Sequence, residues 1–306
     1  MKKQLGLLVD LKNRYLITDT ALPEDANYGF WSAKKLIAIN YLIPQFGRLA
    51  LTGNFTHCFY LDLLAGSGLV ELENNAILPG SALVALAANA PTQKFEMYYF
   101  VERDTTKAQL LDQRLSRVRE ALKREYVVEV GDCNAVLPKI LKEIYRNDPE
   151  HSCFLALLDP EGYTEIGWET IQMLLGGGKG DLIFNFTEGV ARNVQNARQD
   201  TSYVPSLQRF FAEPHEDWIQ CDGYDALVDH FSSKFQMVNG IKRTTFRIDV
   251  ADEANRPLYA LIIATGSTGY ANIVRDLKKR LDATKAAHLR NIYDEFSGKS
   301  KPLTSY

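Results

Sequence analysis

The chain has 306 residues, a formal net charge of −3 and a sequence pI of about 6.0. Sequence-independent binding to a phosphate backbone depends on a surplus of Lys and Arg. This balance therefore argues against a globally basic nucleic-acid binder and leaves room for a local basic face. Hydrophobic residues make up 46% of the chain, enough for a large core, and we expect one core domain with insertions.

The cysteines and histidines show no metal-binding or disulfide pattern. The four cysteines are far apart without a CxxC pair, and the five histidines lack the spacing of metal ligands, so no metal is expected. No apolar stretch approaches the roughly 18 residues of a membrane helix. The apolar run near the start is interrupted by Asp10 and is too short for a secretory signal. We expect a soluble, cytoplasmic protein.

Strand and helix patterns alternate through the first two thirds of the chain. Residues 1–29 predict an irregular lead-in, and apolar residues at helical spacing over 31–46 predict an amphipathic helix that Pro44 disturbs. Apolar runs predict strands at 58–64, 97–102, 126–130, 154–160 and 181–186. Periodic segments predict the helices between and after them, at 79–90, 105–125, 131–145 and 168–175.

These strands lack polar alternation, which is typical of parallel strands buried on both faces, so we predict a doubly wound α/β sheet. The last third predicts an insertion, a closing hairpin (244–250 with 258–266) and C-terminal helices. The predicted division of the chain is a lead-in and helix (1–56), a cofactor-binding core (57–186), a mainly helical substrate cap (187–240) and the hairpin with C-terminal helices (241–306).

Polar groups stand where the predicted strands end, and ligands bind beyond the carboxyl ends of such strands. In chain order these ends carry Asp62 with AGSG at 65–68, Glu102, Asp132, Asp159 and Asn185. Glycines in the AGSG segment permit a tight turn and a close backbone approach to a ligand. A carboxylate at Glu102 can accept both hydroxyl hydrogens of a ribose, and one at Asp132 can accept from an exocyclic amine. Together these groups predict a nucleoside site, although AGSG alone also fits an ordinary tight turn.

Two cofactor classes fit a nucleoside site with a charged extension. Dinucleotides prefer GxGxxG with an acid about 20 residues further on. Here Gly66 and Gly68 lack a third glycine, and Glu102 lies well beyond that distance. S-adenosylmethionine has cationic parts that suit acidic strand ends. The residues therefore favour S-adenosylmethionine, with a nicotinamide-dependent oxidoreductase as the rival.

The fourth and fifth strand ends supply candidates for the acceptor side. Asp159, followed by Pro160, can orient an acceptor amine or hydroxyl or take its proton, and it can equally cap its own loop. Asn185 falls in the same region. Methyl transfer needs little beyond in-line alignment, so the lack of a catalytic triad does not count against this chemistry.

The run YLDLLAGSG, followed in order by PGSALVAL, YYFVERD, GDCNAVLP, LALLDPEGY, GWETIQML and DLIFNF, resembles the three-Cys-motif partner proteins (TcmP). These are a bacterial group within the Rossmann-like methyltransferases that use S-adenosylmethionine. The preceding WSAKKLIAINYL also resembles the lead-in of that family. The resemblance spans roughly residues 31–190 and is thin beyond them.

The resemblance implies a seven-stranded sheet with an antiparallel last strand. It also implies a cofactor bed formed by Asp62, Ala65, Gly66, Gly68, Glu102 and Asp132, with Lys34 at a basic position that reaches the cofactor carboxylate. Members are named for their genomic company, so a protein partner and a non-catalytic scaffold role are open alternatives to catalysis.

One departure concerns the acceptor side. Enzymes that methylate exocyclic amines of bases often carry two prolines and an aromatic residue at the fourth strand end. In this chain Glu161 replaces the second proline, and Gly162 precedes Tyr163. We expect Asp159, Tyr163 and Asn185 to face the acceptor, with Tyr163 available to stack on a flipped base.

The acceptor that we favour is a nucleic acid. Six basic residues of the helix over 105–125 offer a local basic face for it, or a merely solvated one: Lys107, Arg114, Arg117, Arg119, Lys123 and Arg124.

Overall fold

A central seven-stranded β-sheet organises the computed structural model, which describes residues 1–16, 18–20, 28–88 and 95–297. The elements of the first part are α1 (Lys2–Tyr15), α2 (Ser32–Thr52), β1 (His57–Asp62), β2 (Leu69–Leu72), β3 (Ala76–Pro79), α3 (Ser81–Ala87), β4 (Met97–Glu102), α4 (Thr105–Leu122) and β5 (Tyr126–Val130). Those of the middle part are α5 (Cys133–Ile144), β6 (Ser152–Leu158), α6 (Trp168–Gly176), β7 (Gly180–Thr187), α7 (Glu188–Ala197), α8 (Val204–Phe211), α9 (His215–Ile219) and α10 (Gly223–Lys234). The last are β8 (Met237–Val238), β9 (Ile241–Lys242), β10 (Thr244–Ala251), β11 (Pro257–Thr265), α11 (Thr268–Asp282) and α12 (Ala286–Phe296).

The strand order of the sheet is β10-β11-β7-β6-β1-β4-β5. All neighbours from β7 to β5 pair in parallel, whereas β11 is antiparallel to both β7 and β10. The predicted α/β fold, a mostly parallel sheet of seven strands with an antiparallel last strand, is confirmed. The predicted hairpin near the C-terminus corresponds to β10 and β11.

Helices cover both faces of the sheet because the strands are apolar on both faces. Along β1, Cys58 and Tyr60 belong to one core, and Phe59 and Leu61 belong to the other. The first core packs against α1 to α4, α11 and α12, and the second packs against α5 to α10. This layering places the carboxyl ends of β1, β4, β5, β6 and β7 at one edge of the sheet.

The N-terminal segment differs from the prediction. Residues Lys2–Tyr15 form α1 rather than an irregular lead-in, and α2 continues through Pro44 to Thr52. Leu5, Leu8 and Val9 have the i, i+3, i+4 spacing of a helix, and they are buried in the first core. Contacts with α12, which is remote in sequence, stabilise α1. The burial of α1 could therefore not be predicted from the local pattern alone.

The segment between β7 and β10 contains α7 to α10 and the short β8–β9 pair. Its aromatic residues pack together, with the rings of Phe210 and Phe231 stacked at 4.6 Å between centroids and a contact from Phe231 to Phe184 of β7. Helices therefore cover the end of β7. The division of the chain into domains, and the role of this segment as a substrate cap, stay predictions.

Candidate functional site

A cavity of about 800 Å³ opens at the carboxyl ends of the parallel strands. The described residues that line it and that the sequence analysis had singled out are Ala65, Gly66, Gly68, Glu102, Asp132, Asp159 and Asn185. These residues come from five strand ends that are far apart in sequence. The parallel sheet is what brings them to one place.

The glycine loop, residues 65–68, is held on two sides. The amide of Ala65 donates to the carbonyl of Val101 at 2.9 Å, and the amide of Gly66 donates to the Glu102 carboxylate at 2.9 Å. Gly66 and Gly68 have φ values of 63° and 89°, in the left-handed region that favours glycine. The loop therefore has a fixed shape set by β4.

Gly80 packs on the backbone of this loop. Its amide donates to the carbonyl of Gly68 at 2.7 Å, and a Cβ on Gly80 would lie 3.0 Å from the carbonyl carbon of Gly68. The β2–β3 hairpin, which the sequence analysis missed, returns the chain to this position and moves the start of the predicted helix from residue 79 to Ser81. A side chain at residue 80, the glycine of the PGS segment, would therefore clash with the AGSG loop. Residues 89–90 of that predicted helix lie outside the described residues.

Glu102 ends β4, Asp132 follows the neighbouring strand β5, and both line the same cavity. One Glu102 oxygen accepts from Gly66, and the other accepts from the amide of Asp104 at 2.8 Å. Asp132 caps α5 and accepts from the amide and the side chain of Asn134 at 2.9 and 2.6 Å. Both carboxylates are thus oriented by the chain and retain lone pairs for a ligand.

Asp62 lies beneath the cavity rather than in its wall. The side chain is fully buried, and neither carboxylate oxygen has a well-formed hydrogen bond to the described residues. Burial raises the pKa of Asp62 to about 7; the Ser81 hydroxyl opposes this rise, and the charge of Asp159 adds to it. A buried acid with spare acceptor capacity is suited to a cationic group of a ligand.

Asp159, Asn185 and Lys35 form a polar cluster at the other end of the cavity. The side-chain amide of Asn185 donates to one Asp159 oxygen at 2.7 Å, and Lys35 Nζ donates to the other at 2.5 Å. Asn185 is buried, while Lys35 and Asp159 are mostly buried, with side chains 20% and 16% exposed. The structure thus brings together two of the three predicted acceptor-side residues.

Lys34 and Tyr163 do not line the cavity. Lys34 is buried on another side of α2, where burial lowers its pKa and the charge of Asp282 opposes that effect. The Tyr163 hydroxyl shares a hydrogen bond of 2.9 Å with Ser206 Oγ, and its ring packs edge-on against Phe210. The lysine that α2 presents to the cavity is Lys35, and we correct the placement of both predicted residues accordingly.

The basic residues of α4 are largely engaged within the protein. Arg114 is buried and donates to the carbonyls of Ser67 and Thr20, and Arg117 pairs with Asp19. Two further arginines bind locally, Arg119 to the Glu125 carboxylate and Arg124 to the carbonyls of Leu86 and Ala88. Four of the six basic residues on and beside α4 are therefore engaged within the protein, and one of them, Arg114, supports the glycine loop, a role that was not predicted.

The wall of the cavity is predominantly acidic. Six carboxylates line it, from Glu102, Asp104, Asp132, Asp159, Glu161 and Glu165. Three basic side chains accompany them, from Lys35, Arg103 and Lys107. Lys35 pairs with Asp159 at 2.5 Å, and Arg103 pairs with Glu165 at 3.7 Å. The net negative wall is suited to a ligand with positive charge.

Neither a metal-binding cluster nor a membrane-spanning helix occurs among the described residues. The His, Cys, Asp and Glu side chains there form no group of three or more that could hold a metal ion. None of the helices among those residues combines the length and apolar character needed to cross a bilayer.

No family model and no curated protein matches the sequence. Among solved structures, Trm1 of Pyrococcus horikoshii in complex with S-adenosyl-L-methionine is 13% identical with a TM-score of 0.45. The match covers 84% of this chain and 61% of the Trm1 chain, less than two thirds of its length. The O-methyltransferase of Bacillus cereus in complex with SAH is 11% identical, with coverage of 86% and 90% and a TM-score of 0.39. M. jannaschii TYW2 in complex with AdoMet is 11% identical, with coverage of 71% and 73% and a TM-score of 0.30. These values are too low to assign a function, which has to be argued from the cavity itself.

Proposed function

We propose that the protein is a methyltransferase that uses S-adenosylmethionine. The observation that carries this proposal is the convergence of the Gly66 amide, Glu102 and Asp132 on one acidic cavity at adjacent strand ends. When bound, the cofactor supplies an electrophilic methyl group on a sulfonium. The task of the chain is to hold that group in line with an acceptor atom, which is a matter of positioning.

The residues present fit the parts of this cofactor. Gly66 has open space where a Cβ would stand, so a ligand can approach the loop backbone. Glu102 is oriented for the ribose hydroxyls, and Asp132 stands on the next strand, for the adenine amine. Asp62, buried with spare acceptor capacity, is suited to the amino group of the methionine part. Ala65 and Gly68 complete this proposed bed.

The charge of the wall separates the two cofactor classes further. A nicotinamide dinucleotide brings a pyrophosphate with two negative charges, which six lining carboxylates would repel. S-adenosylmethionine brings a sulfonium and an ammonium against a single carboxylate, so its net charge is positive and the same wall attracts it. The missing third glycine of the loop points in the same direction.

The acceptor side of the proposed site is the cluster of Asp159, Asn185 and Lys35. Asp159 is the proposed catalytic residue, because its carboxylate can orient an acceptor group and take its proton. Asn185 holds Asp159 and shares the wall. A nucleic acid stays our proposed acceptor, although the arginines of and beside α4 are engaged within the protein and give it little support.

We also propose that the protein is a member of the three-Cys-motif partner group. A cytoplasmic location and a protein partner are part of the same proposal. The motif order over residues 31–190 supports the family assignment. A scaffold of the same fold that does not catalyse methylation is the competing function, and it differs in one respect that can be measured. It predicts no methyl transfer to any acceptor.

Calorimetric titration with S-adenosylhomocysteine and with NAD tests the cofactor. We expect binding of the first, no binding of the second, and loss of binding in Glu102→Ala. Binding of NAD alone would support the oxidoreductase instead. Incubation of the protein and a radiolabelled methyl donor with tRNA, rRNA, DNA and protein extract then identifies the acceptor. Cofactor binding without transfer to any of these would favour the scaffold.

A further inference from the structure

Lys35 stands at the acceptor end of the cavity in a defined position. Its Nζ donates to Asp159 Oδ2 at 2.5 Å and lies 6.0 Å from the centre of the Tyr259 ring. Its side chain is 20% exposed, and α2 fixes its backbone, so the ammonium is held against the cavity wall. Asn185 donates to the other oxygen of Asp159 and keeps that carboxylate in place.

The Lys35 ammonium pairs with Asp159, which is the residue that binds the acceptor group in the proposed function. Asp159 is there to hydrogen-bond an acceptor group and to take its proton, and in this structure it already does the first of these with a primary amine. The amine belongs to the chain itself. The nitrogen of Lys35 therefore occupies the kind of position that an acceptor amine needs.

We propose that Lys35 is a methylation site, modified by the cofactor bound in its own cavity. This inference rests on the proposed function. It also names the acceptor class of the site as a primary amine, because a substrate amine that reaches Asp159 has to take the place of Lys35. Holding the nitrogen within the same molecule raises its effective concentration by orders of magnitude over a free amine.

The step balances with the groups in the cavity. Asp159 takes a proton from the Lys35 ammonium, which leaves a lone pair on Nζ. That lone pair forms the new N–C bond to the methyl group as the C–S bond breaks, and the bonding electrons stay on sulfur. The methylated nitrogen takes over the positive charge that sulfur loses, so the products are protonated Nζ-methyl-lysine and S-adenosylhomocysteine, and Asp159 then releases its proton to solvent.

The adjacent lysine provides a matched control. Lys34 is on the same helix, one position earlier, yet it does not line the cavity and the carboxylate that acts on it is Asp282. Successive residues on a helix point in directions about 100° apart. A reaction directed by the cavity therefore modifies Lys35 and spares Lys34, whereas unspecific chemical methylation would favour exposed lysines such as Lys139, whose side chain is 60% exposed.

The first test uses S-adenosylmethionine with a trideuterated methyl group and no added acceptor. The whole chain is incubated and then digested, and peptide mass spectrometry should place the label on Lys35, within residues 35–48. The label should be lost in Lys35→Arg and in Asp159→Asn, and it should be retained in Lys34→Arg. Excess S-adenosylhomocysteine should suppress it.

Each alternative result has a defined meaning. If S-adenosylhomocysteine binds in calorimetry and no label appears on Lys35, this inference is wrong and the proposed cofactor stands. If the label is insensitive to Asp159→Asn or to excess S-adenosylhomocysteine, the reaction is chemical and the inference again fails. If S-adenosylhomocysteine does not bind at all, the proposed function itself fails.

A second test measures binding alone. Sinefungin resembles S-adenosylmethionine but carries an amine where the cofactor carries its methyl group, so its ammonium competes with Lys35 for Asp159. In Lys35→Gln we expect affinity for sinefungin, relative to S-adenosylhomocysteine, to rise about fivefold, and Lys34→Gln should leave this ratio unchanged. An unchanged ratio in Lys35→Gln would show that Lys35 is not at the methyl position and would overturn the proposal.

Discussion

The carboxylate of Glu102 accepts a hydrogen bond from the amide of Gly66 at 2.9 Å, which joins the end of β4 to the glycine loop after β1. Its second oxygen accepts from the amide of Asp104 at 2.8 Å. Two neighbouring strand ends thus share one carboxylate, and the chain orients that carboxylate without help from a ligand. Such preorganisation lowers the entropic cost of binding.

Glu102→Ala should lower affinity for S-adenosylhomocysteine about a hundredfold, because it removes the two charge-assisted hydrogen bonds that we propose to the ribose, together with the anchor of Gly66. Isothermal titration calorimetry gives the affinity directly. Glu129→Ala is the matched control, since Glu129 lies on β5 and pairs with Lys139 at the surface. Equal affinities for the two variants would show that Glu102 does not bind the ribose.

Gly80→Ala should weaken cofactor binding about tenfold at a modest cost in stability. A Cβ at this position would meet the carbonyl carbon and oxygen of Gly68 at 3.0 and 3.1 Å, and backbone atoms cannot swing away as a flexible side chain can. The glycine loop would have to shift. Gly266→Ala, where no atom lies within 4 Å of the added Cβ, controls for the substitution itself. Calorimetry with S-adenosylhomocysteine should separate the two; identical affinities would mean that the loop tolerates the shift.

The parallel strands could be predicted from the sequence because continuous apolar runs are a local signal of burial on both faces. Strands β2 and β3 and helix α1 have no such continuous apolar run. The β2 and β3 strands have four residues each, and their pairing is visible only once Gly80 is seen to return to Gly68. The burial of α1 depends on α12, almost the whole chain away. Local patterns do not encode contacts of that range.

The cavity-lining residues of the proposed cofactor bed could be located from the sequence because they lie at or shortly after the ends of β1, β4 and β5. The acceptor end depends on how helices dock. Lys34 and Lys35 are neighbours in sequence, and the packing angle of α2 decides which of them lines the cavity. Tyr163 follows a strand by several residues, and the packing of its ring on Phe210 draws it away from the cavity. Docking angles and loop paths of this kind are tertiary properties.

Arg114→Met should destabilise the protein by about 3 kcal/mol, because it leaves the carbonyls of Ser67 and Thr20 without their buried donor. It should also weaken binding of S-adenosylhomocysteine, since Ser67 is part of the glycine loop. Arg119→Met, which removes an exposed pair with Glu125, should change stability by less than about 0.5 kcal/mol. Urea unfolding measures both. Similar losses of stability in the two variants would show that Arg114 contributes no more to stability than an exposed arginine does.

Asp62→Asn should stabilise the protein, and more so at alkaline pH. Burial raises the pKa of Asp62 from 3.8 to about 7, so between these values the folded chain binds a proton that the unfolded chain has lost. Stability from this group is therefore present at low pH and falls as the pH rises towards 7. The gain from Asp62→Asn should be about 2 kcal/mol larger at pH 8 than at pH 5 in urea unfolding.

The same substitution should weaken binding of S-adenosylhomocysteine, because an amide cannot supply the negative charge that the proposed amino-group contact needs. Wild-type affinity should rise as the pH increases through 7 and more of Asp62 is ionised, and the Asp62→Asn variant should lack this rise. A stability gain that is the same at both pH values would show that Asp62 holds no proton in the folded protein. A gain in stability together with a loss of affinity would show that the buried carboxylate is retained for binding at the expense of the fold.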